Sequence, residues 1–159
     1  MSVVINNSQS EVYLGHLKVA TAAVKPGAVV LADDSAGTCA VPTDADNTLA
    51  NGLDLYLVAN YDSYADTNLI NSKDFTVAVN KYARLKPFQV GDTFTTDCFI
   101  GTYANINVDD VFAVNGIAAS GASGHWIAIG VRTPILRVKV VEKTTIYGQN
   151  ALKFRVIAA

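Results

Sequence analysis

Two histidines and two cysteines are the residues of this chain best suited to chemistry, and their placement limits what that chemistry can be. Cys39 and Cys98 stand far apart and in no Cys-x-x-Cys pair, which excludes a zinc ribbon or a disulfide framework. Free buried thiols are expected, with one long-range disulfide as the alternative. His16 and His125 are too few and too widely spaced for a cupin-type or His-Glu-x-x-His metal site. His125 follows the Gly/Ser stretch Ser120-Gly121-Ala122-Ser123-Gly124 and precedes Trp126, so it could act as a base on Ser123. No α/β pattern surrounds that stretch, and it falls one residue short of a nucleophile elbow. Gly116-Ile117-Ala118-Ala119-Ser120-Gly121 has the glycine spacing of a phosphate loop, but Ala122 stands where the phosphate-neutralising Lys belongs. Asp44-Ala45-Asp46-Asn47 opens like a calcium loop, but Leu49 takes the place of its essential Gly. Each catalytic or cofactor pattern therefore fails at a residue its chemistry needs. We expect no catalytic centre, no cofactor and no metal.

The elements around these residues read as strands. Ala28–Ala32, Thr38–Val41, Leu53–Asn60, Phe75–Leu85, Thr93–Gly101, Val111–Val114, Trp126–Val131, Ile135–Val141 and Leu152–Ile157 alternate or are β-branched and apolar, and residues 11–20 alternate in part. Lys25-Pro26-Gly27 and Lys86–Asp92 are turn signals, and no segment keeps a 3.6-residue period over three turns. The predicted fold is all-β: a small antiparallel β-barrel or sandwich with long loops at 43–52 and 61–74. Residues 1–12 form an extended N-terminal arm, followed by one β-domain over 13–159. Val3, Val4 and Ile5 would sit in water on a free arm, so docking along a neighbouring chain is expected. One internal echo recurs: Lys25–Asp33 and Gln89–Asp97 each carry a turn glycine, an outgoing strand, and Asp six residues after the Gly. Its physical reading is two similar turn-to-strand corners.

Composition narrows the function classes. The 159 residues are 50% hydrophobic and 16% charged, against about 25% charged in an average soluble domain. A disordered chain is excluded. The net charge of −2 argues against general nucleic-acid binding. No apolar run reaches the roughly 18 residues of a membrane helix, and the N-terminus does not read as a signal peptide. Apolar surface with so little charge suits association with copies of itself or with something large. Basic residues gather late, at Arg132, Arg137, Lys139, Lys143, Lys153 and Arg155; acidic residues gather earlier, as at Asp33, Asp34, Asp44 and Asp62. That skew suits head-to-tail contacts, docking on a charged partner, or solvated strand faces. Tyr56, Tyr61, Tyr64, Tyr82 and Tyr103 offer an aromatic platform or a Tyr-rich interface, and Trp126 is expected in the core.

The stretch Val19-Ala20-Thr21-Ala22-Ala23-Val24-Lys25-Pro26-Gly27-Ala28-Val29-Val30 resembles the small decoration (cement) proteins of tailed-phage capsids. Their second half carries an apolar-x-x-Gly-Asp-x-apolar turn, here Phe88-Gln89-Val90-Gly91-Asp92-Thr93-Phe94. A late Gly before an apolar strand, here Gly130, and the closing strand Leu152–Ile157 also fit, and the likeness covers residues 17–140. The inserts at 43–52 and 61–74 depart from the leanest members. The resemblance implies a non-enzymatic virion protein that binds the outer capsid surface, made in the host cytoplasm. Its partner would be the major capsid protein, and it would sit as a homo-oligomer, with a trimer favoured. Val3, Val4, Ile5, Tyr61 and Tyr64 are the candidate interface residues. The alternatives are another virion subunit, such as a tail tube or fibre base, and a sugar- or peptide-binding β-module.

Overall fold

In the computed structural model, twelve strands among the described residues form two mixed sheets, and neither sheet closes into a barrel. The structure describes residues 3–7, 14–42, 55–60, 76–115, 124–130 and 134–159. The strands are β1 (Val3–Asn7), β2 (Lys18–Val19), β3 (Val29–Asp33), β4 (Thr38–Ala40), β5 (Leu55–Val58) and β6 (Leu85–Pro87). They continue with β7 (Thr93–Thr96), β8 (Phe99–Ile100), β9 (Val111–Val114), β10 (Trp126–Ala128), β11 (Arg137–Ile146) and β12 (Gln149–Ala158). The larger sheet runs β1-β7-β12-β11-β9-β10-β8 and the smaller β2-β4-β3-β5-β6. Pairing is antiparallel except between β10 and β8 and between β2 and β4. One 3₁₀ turn, Tyr103–Asn105, is the sole helical element among the described residues. The predicted all-β class is therefore found, with two open sheets where a barrel was one expected form.

Residue alternation explains how the sheets meet. In the smaller sheet Val29 pairs Leu57 and Leu31 pairs Leu55, placing these four side chains on one face. They join a core with Phe94, Phe112, Trp126, Val138, Phe154 and Val156 of the larger sheet. The opposite face, with Val30, Cys39, Val58 and Leu85, forms a second core closed by Leu17, Val19, Val24, Val77 and Ala83. The smaller sheet is thus apolar on both faces, which is why its strands read as continuous hydrophobic runs. Phe154 is central to the first core: its ring centroid lies 5.3 Å from Phe112, 5.8 Å from Phe94 and 5.7 Å from Trp126.

The internal echo has a structural basis. Ala28 N–H donates to Lys25 O and Asp92 N–H to Gln89 O, closing two equivalent turns. Gly27 and Gly91 hold the third position of each with φ of 89° and 98°, which side-chain-bearing residues resist. One turn feeds β3 and the other β7, so each sheet has one such corner. The first corner also fastens the sheets together. Cys98 Sγ donates to Pro26 O at 3.3 Å, Trp126 Nε1 to Gly27 O at 3.3 Å, and Val29 N–H to Gly124 O at 2.8 Å. Gly124 has φ of 81°, and a Cβ there would lie 2.5 Å from Val29 O, so only glycine fits this crossing.

Several boundaries differ from the sequence reading. Thr93–Gly101 divides into β7 and β8, with Cys98 N–H donating to Thr96 Oγ1 at the break. The expected strand Phe75–Leu85 is no strand over residues 76–84: Val77 makes one bridge to Val24, and Asn80 turns the chain at φ of 64°. Lys86-Pro87, expected to open a turn, instead continues from Leu85 as edge strand β6, where a proline is tolerated. Residues 3–7 pair antiparallel with β7 of the same chain, Val3 opposite Thr96 and Ile5 opposite Phe94, and Ile5 packs on the first core.

Candidate interaction surface

The residues first considered for chemistry do not converge. His125 immediately precedes β10 and is half-buried. Burial pushes its pKa below the ordinary histidine value, Lys25 adds to that, and Asp97 opposes it. Ser123 and the Asp44–Asn47 stretch lie outside the described residues. His16 is exposed at a different place and meets Asp34 Oδ1 at 3.3 Å. Cys39 and Cys98 are both buried thiols and form no disulfide. Burial, with help from Asp97, pushes the Cys98 thiol up to about 12, which leaves it protonated and unreactive. Among the described residues no three His, Cys, Asp or Glu side chains gather as a metal site would require.

A crevice between the sheets holds a buried ion pair. Lys86 Nζ lies 3.3 Å from Asp92 Oδ2, and both side chains are almost wholly excluded from solvent. Ile5, Leu57, Phe88 and Phe94 line the crevice, whose volume of ≈ 10 Å³ is about what one water needs. A small-molecule site takes some 300 Å³ or more, so this pair is structural.

The outer face of the larger sheet is of another kind. On β11 and β12 the outward positions carry Arg137, Lys139, Lys153 and Arg155, because both strands put apolar residues on alternate positions facing the core. Lys139 pairs directly with Arg155, and the row continues to Val111 of β9 on one side and Thr93 of β7 on the other. Lys139 meets Asp109 at 2.9 Å and Lys153 meets Glu142 at 3.6 Å. Arg137 and Arg155 have no such counter-ion among the described residues. Two bulges shape the hairpin, with Ile157 as the extra residue of one and Val141 of the other.

Apolar residues crowd the arginine end of this face. Ile135 is 44% exposed, Ile157 37% and Val90 60%. Gly91 N–H donates to Val156 O, which brings Val90 alongside the end of β12. At the other end the hairpin turns at Tyr147-Gly148, and Tyr147 is 66% exposed. Arginines amid exposed aliphatics make the composition of a protein contact surface.

The sequence located the late basic cluster but not its division between faces. Lys143 turns away from the others: its Nζ donates to Ile106 O at 2.8 Å and lies 4.6 Å from the Tyr103 ring centroid. Arg132, Tyr61 and Tyr64 lie outside the described residues. Val3 and Val4 belong to β1, opposite Thr96 and Thr95 at the other edge of the same sheet, and Ile5 lines the crevice. Tyr56 is half-buried against the second core, Tyr103 is half-buried with its hydroxyl donating to Thr144 O, and Tyr82 is exposed. The described tyrosines therefore do not form one platform. What sequence reasoning missed is the contact surface built by Val90, Ile135, Ile157 and the two arginines. The bulge that exposes Ile157 has no signature in local composition. Comparison with protein-family models, with curated proteins and with solved structures found no match.

Proposed function

We propose that this chain is a structural, non-enzymatic subunit that binds and reinforces the outer surface of a tailed-phage capsid. In this reading the two sheets form a β-sandwich, the major capsid protein is the partner, and the subunit sits on the virion as a homo-oligomer, with a trimer favoured by the family resemblance. The observation that carries the reading is the outer face of β11 and β12, where Arg137 and Arg155 stand among exposed Ile135, Ile157 and Val90 on a chain of low overall charge. Such a face suits a broad protein contact, with a capsid subunit or with a neighbouring copy on the shell, better than a pocket for a small substrate. The test is electron cryo-microscopy of undecorated capsids mixed with the purified chain. Density on the outer shell is expected. Density confined to a tail, or bare shells at saturating protein, would overturn it.

A further inference from the structure

Arg155 directly opposes Lys139 on the outer face, and Arg137 lies two residues further along β11 on the same side. Like charges held opposite one another repel, and here only the lysine of the three has a counter-ion among the described residues. The face looks away from the smaller sheet, whose Val29, Leu55 and Leu57 pack against the other side of the larger one. The smaller sheet carries the complementary charge. Its β3–β4 turn exposes adjacent Asp33 and Asp34. The Ser35 hydroxyl donates to Asp33 Oδ1 at 2.7 Å and the Ala36 N–H at 3.1 Å, and these bonds hold the carboxyl below its usual range, so it stays ionised. An acidic turn on one sheet and a basic face pointing away from that sheet cannot meet within one chain, but they can meet between two.

We propose that the Arg137/Arg155 face receives the Asp33-Asp34 turn of a second copy, joining copies head to tail. The contact uses different patches on its two sides, so it propagates until it closes into a ring or extends as a filament. The exposed Ile135, Ile157 and Val90 would be covered alongside the arginines. This rests on the homo-oligomer part of the reading above and names the contact that joins its copies; binding to the capsid is read out separately.

Sedimentation velocity of the full chain tests it. Wild-type protein should associate with rising concentration at about 0.05 M salt and come apart at about 0.5 M, where screening is strong. Arg137→Glu with Arg155→Glu should weaken association by about tenfold or more, and so should Asp33→Asn with Asp34→Lys, which keeps the turn's acceptor oxygen. Arg137→Gln with Arg155→Gln gives the same direction of change without reversing charge. Mixing the two charge-reversed variants should restore association, because each variant then offers the face that fits the other's turn. Wild type that stays monomeric at low salt, association indifferent to these variants, or a mixture that stays monomeric would each overturn the proposal. So would an arginine variant that loses capsid binding while still self-associating, since the face would then belong to the shell. Bare capsids beside normal self-association would instead overturn the capsid reading alone.

Discussion

Tyr147 and Gly148 form the two-residue turn of the β11–β12 hairpin with φ of 49° and 76°. Positive φ at both central positions marks a type I′ turn, where Asn or Gly is favoured and a bulky side chain costs about 1 kcal/mol or more. With its ring 66% exposed, Tyr147 regains little of that cost by burial. Tyr147→Asn is expected to stabilise the fold by about 1 kcal/mol, read as a higher urea midpoint at unchanged m. A lower midpoint would mean that the ring packs on its hairpin more than its exposure indicates. The cysteines give a second prediction at this scale. With Cys98 pushed up to about 12, its thiolate fraction at pH 8 is on the order of 1 in 10⁴. Burial pushes the Cys39 thiol up as well. Neither should react with a thiol reagent such as DTNB in the native protein at pH 8, and both should react in denaturant. Fast labelling of one thiol without denaturant would show that its core opens locally.

Strand β6 places a charge between two sheets. Removing one partner of a buried ion pair leaves the other charge without that counter-ion, which costs about 3–5 kcal/mol. Lys86→Met should therefore lower stability by that order, and adding Asp92→Leu should recover most of it, measured by denaturant titration. A loss in the double variant equal to that in the single one would show that the remaining contacts of these side chains, rather than their charge pairing, are what matters. This element was also hard to read in the sequence. Lys86-Pro87 looks like a turn because a lysine and a proline are poor strand formers. Only the pairing of Leu57 with Lys86 and Tyr56 with Pro87 makes them an edge strand. Val111–Val114 was legible from end to end, since four apolar residues bounded by Asp110 and Asn115 have few alternatives. The β11–β12 hairpin was legible only in its first and last parts. The polar stretch Glu142–Thr145 hides a strand that borrows its order from β12. Phe75, Val77 and Val79 alternate as a strand would, but Val77 serves the second core through a single bridge to Val24. Val79 is 38% exposed and Phe75 lies outside the described residues, so the alternation of residue types here marks one buried side chain and no strand.

At the scale of the whole molecule, acid should loosen the junction between the sheets. His125 adjoins Gly124 and Trp126, which bind the Pro26-Gly27 corner, and its pKa is lowered by burial and by Lys25. The unfolded chain then binds a proton more readily than the folded one, so stability present above pH 6.5 is lost as pH falls below that value. The urea midpoint should drop between pH 7 and pH 5, and His125→Gln should flatten that drop. An identical slope in the variant would place the acid sensitivity elsewhere. The candidate surface was less legible than the strands, because it joins Val90 to Ile135 and Ile157 through register, and register is not a local property. The same corner also bears on the order in which the molecule assembles. Its Cys98 bond spans 72 residues of chain and its Trp126 bond spans 99. At about 5–20 residues per second on the ribosome, roughly 5–20 s separate the synthesis of Gly27 from that of Trp126. Through that interval β3 has emerged, apolar on both faces, before the strands that cover it exist. Folding is therefore governed by its longest-range contacts, and the nascent N-terminal third is the stage at which this chain is most exposed to aggregation and most dependent on chaperones.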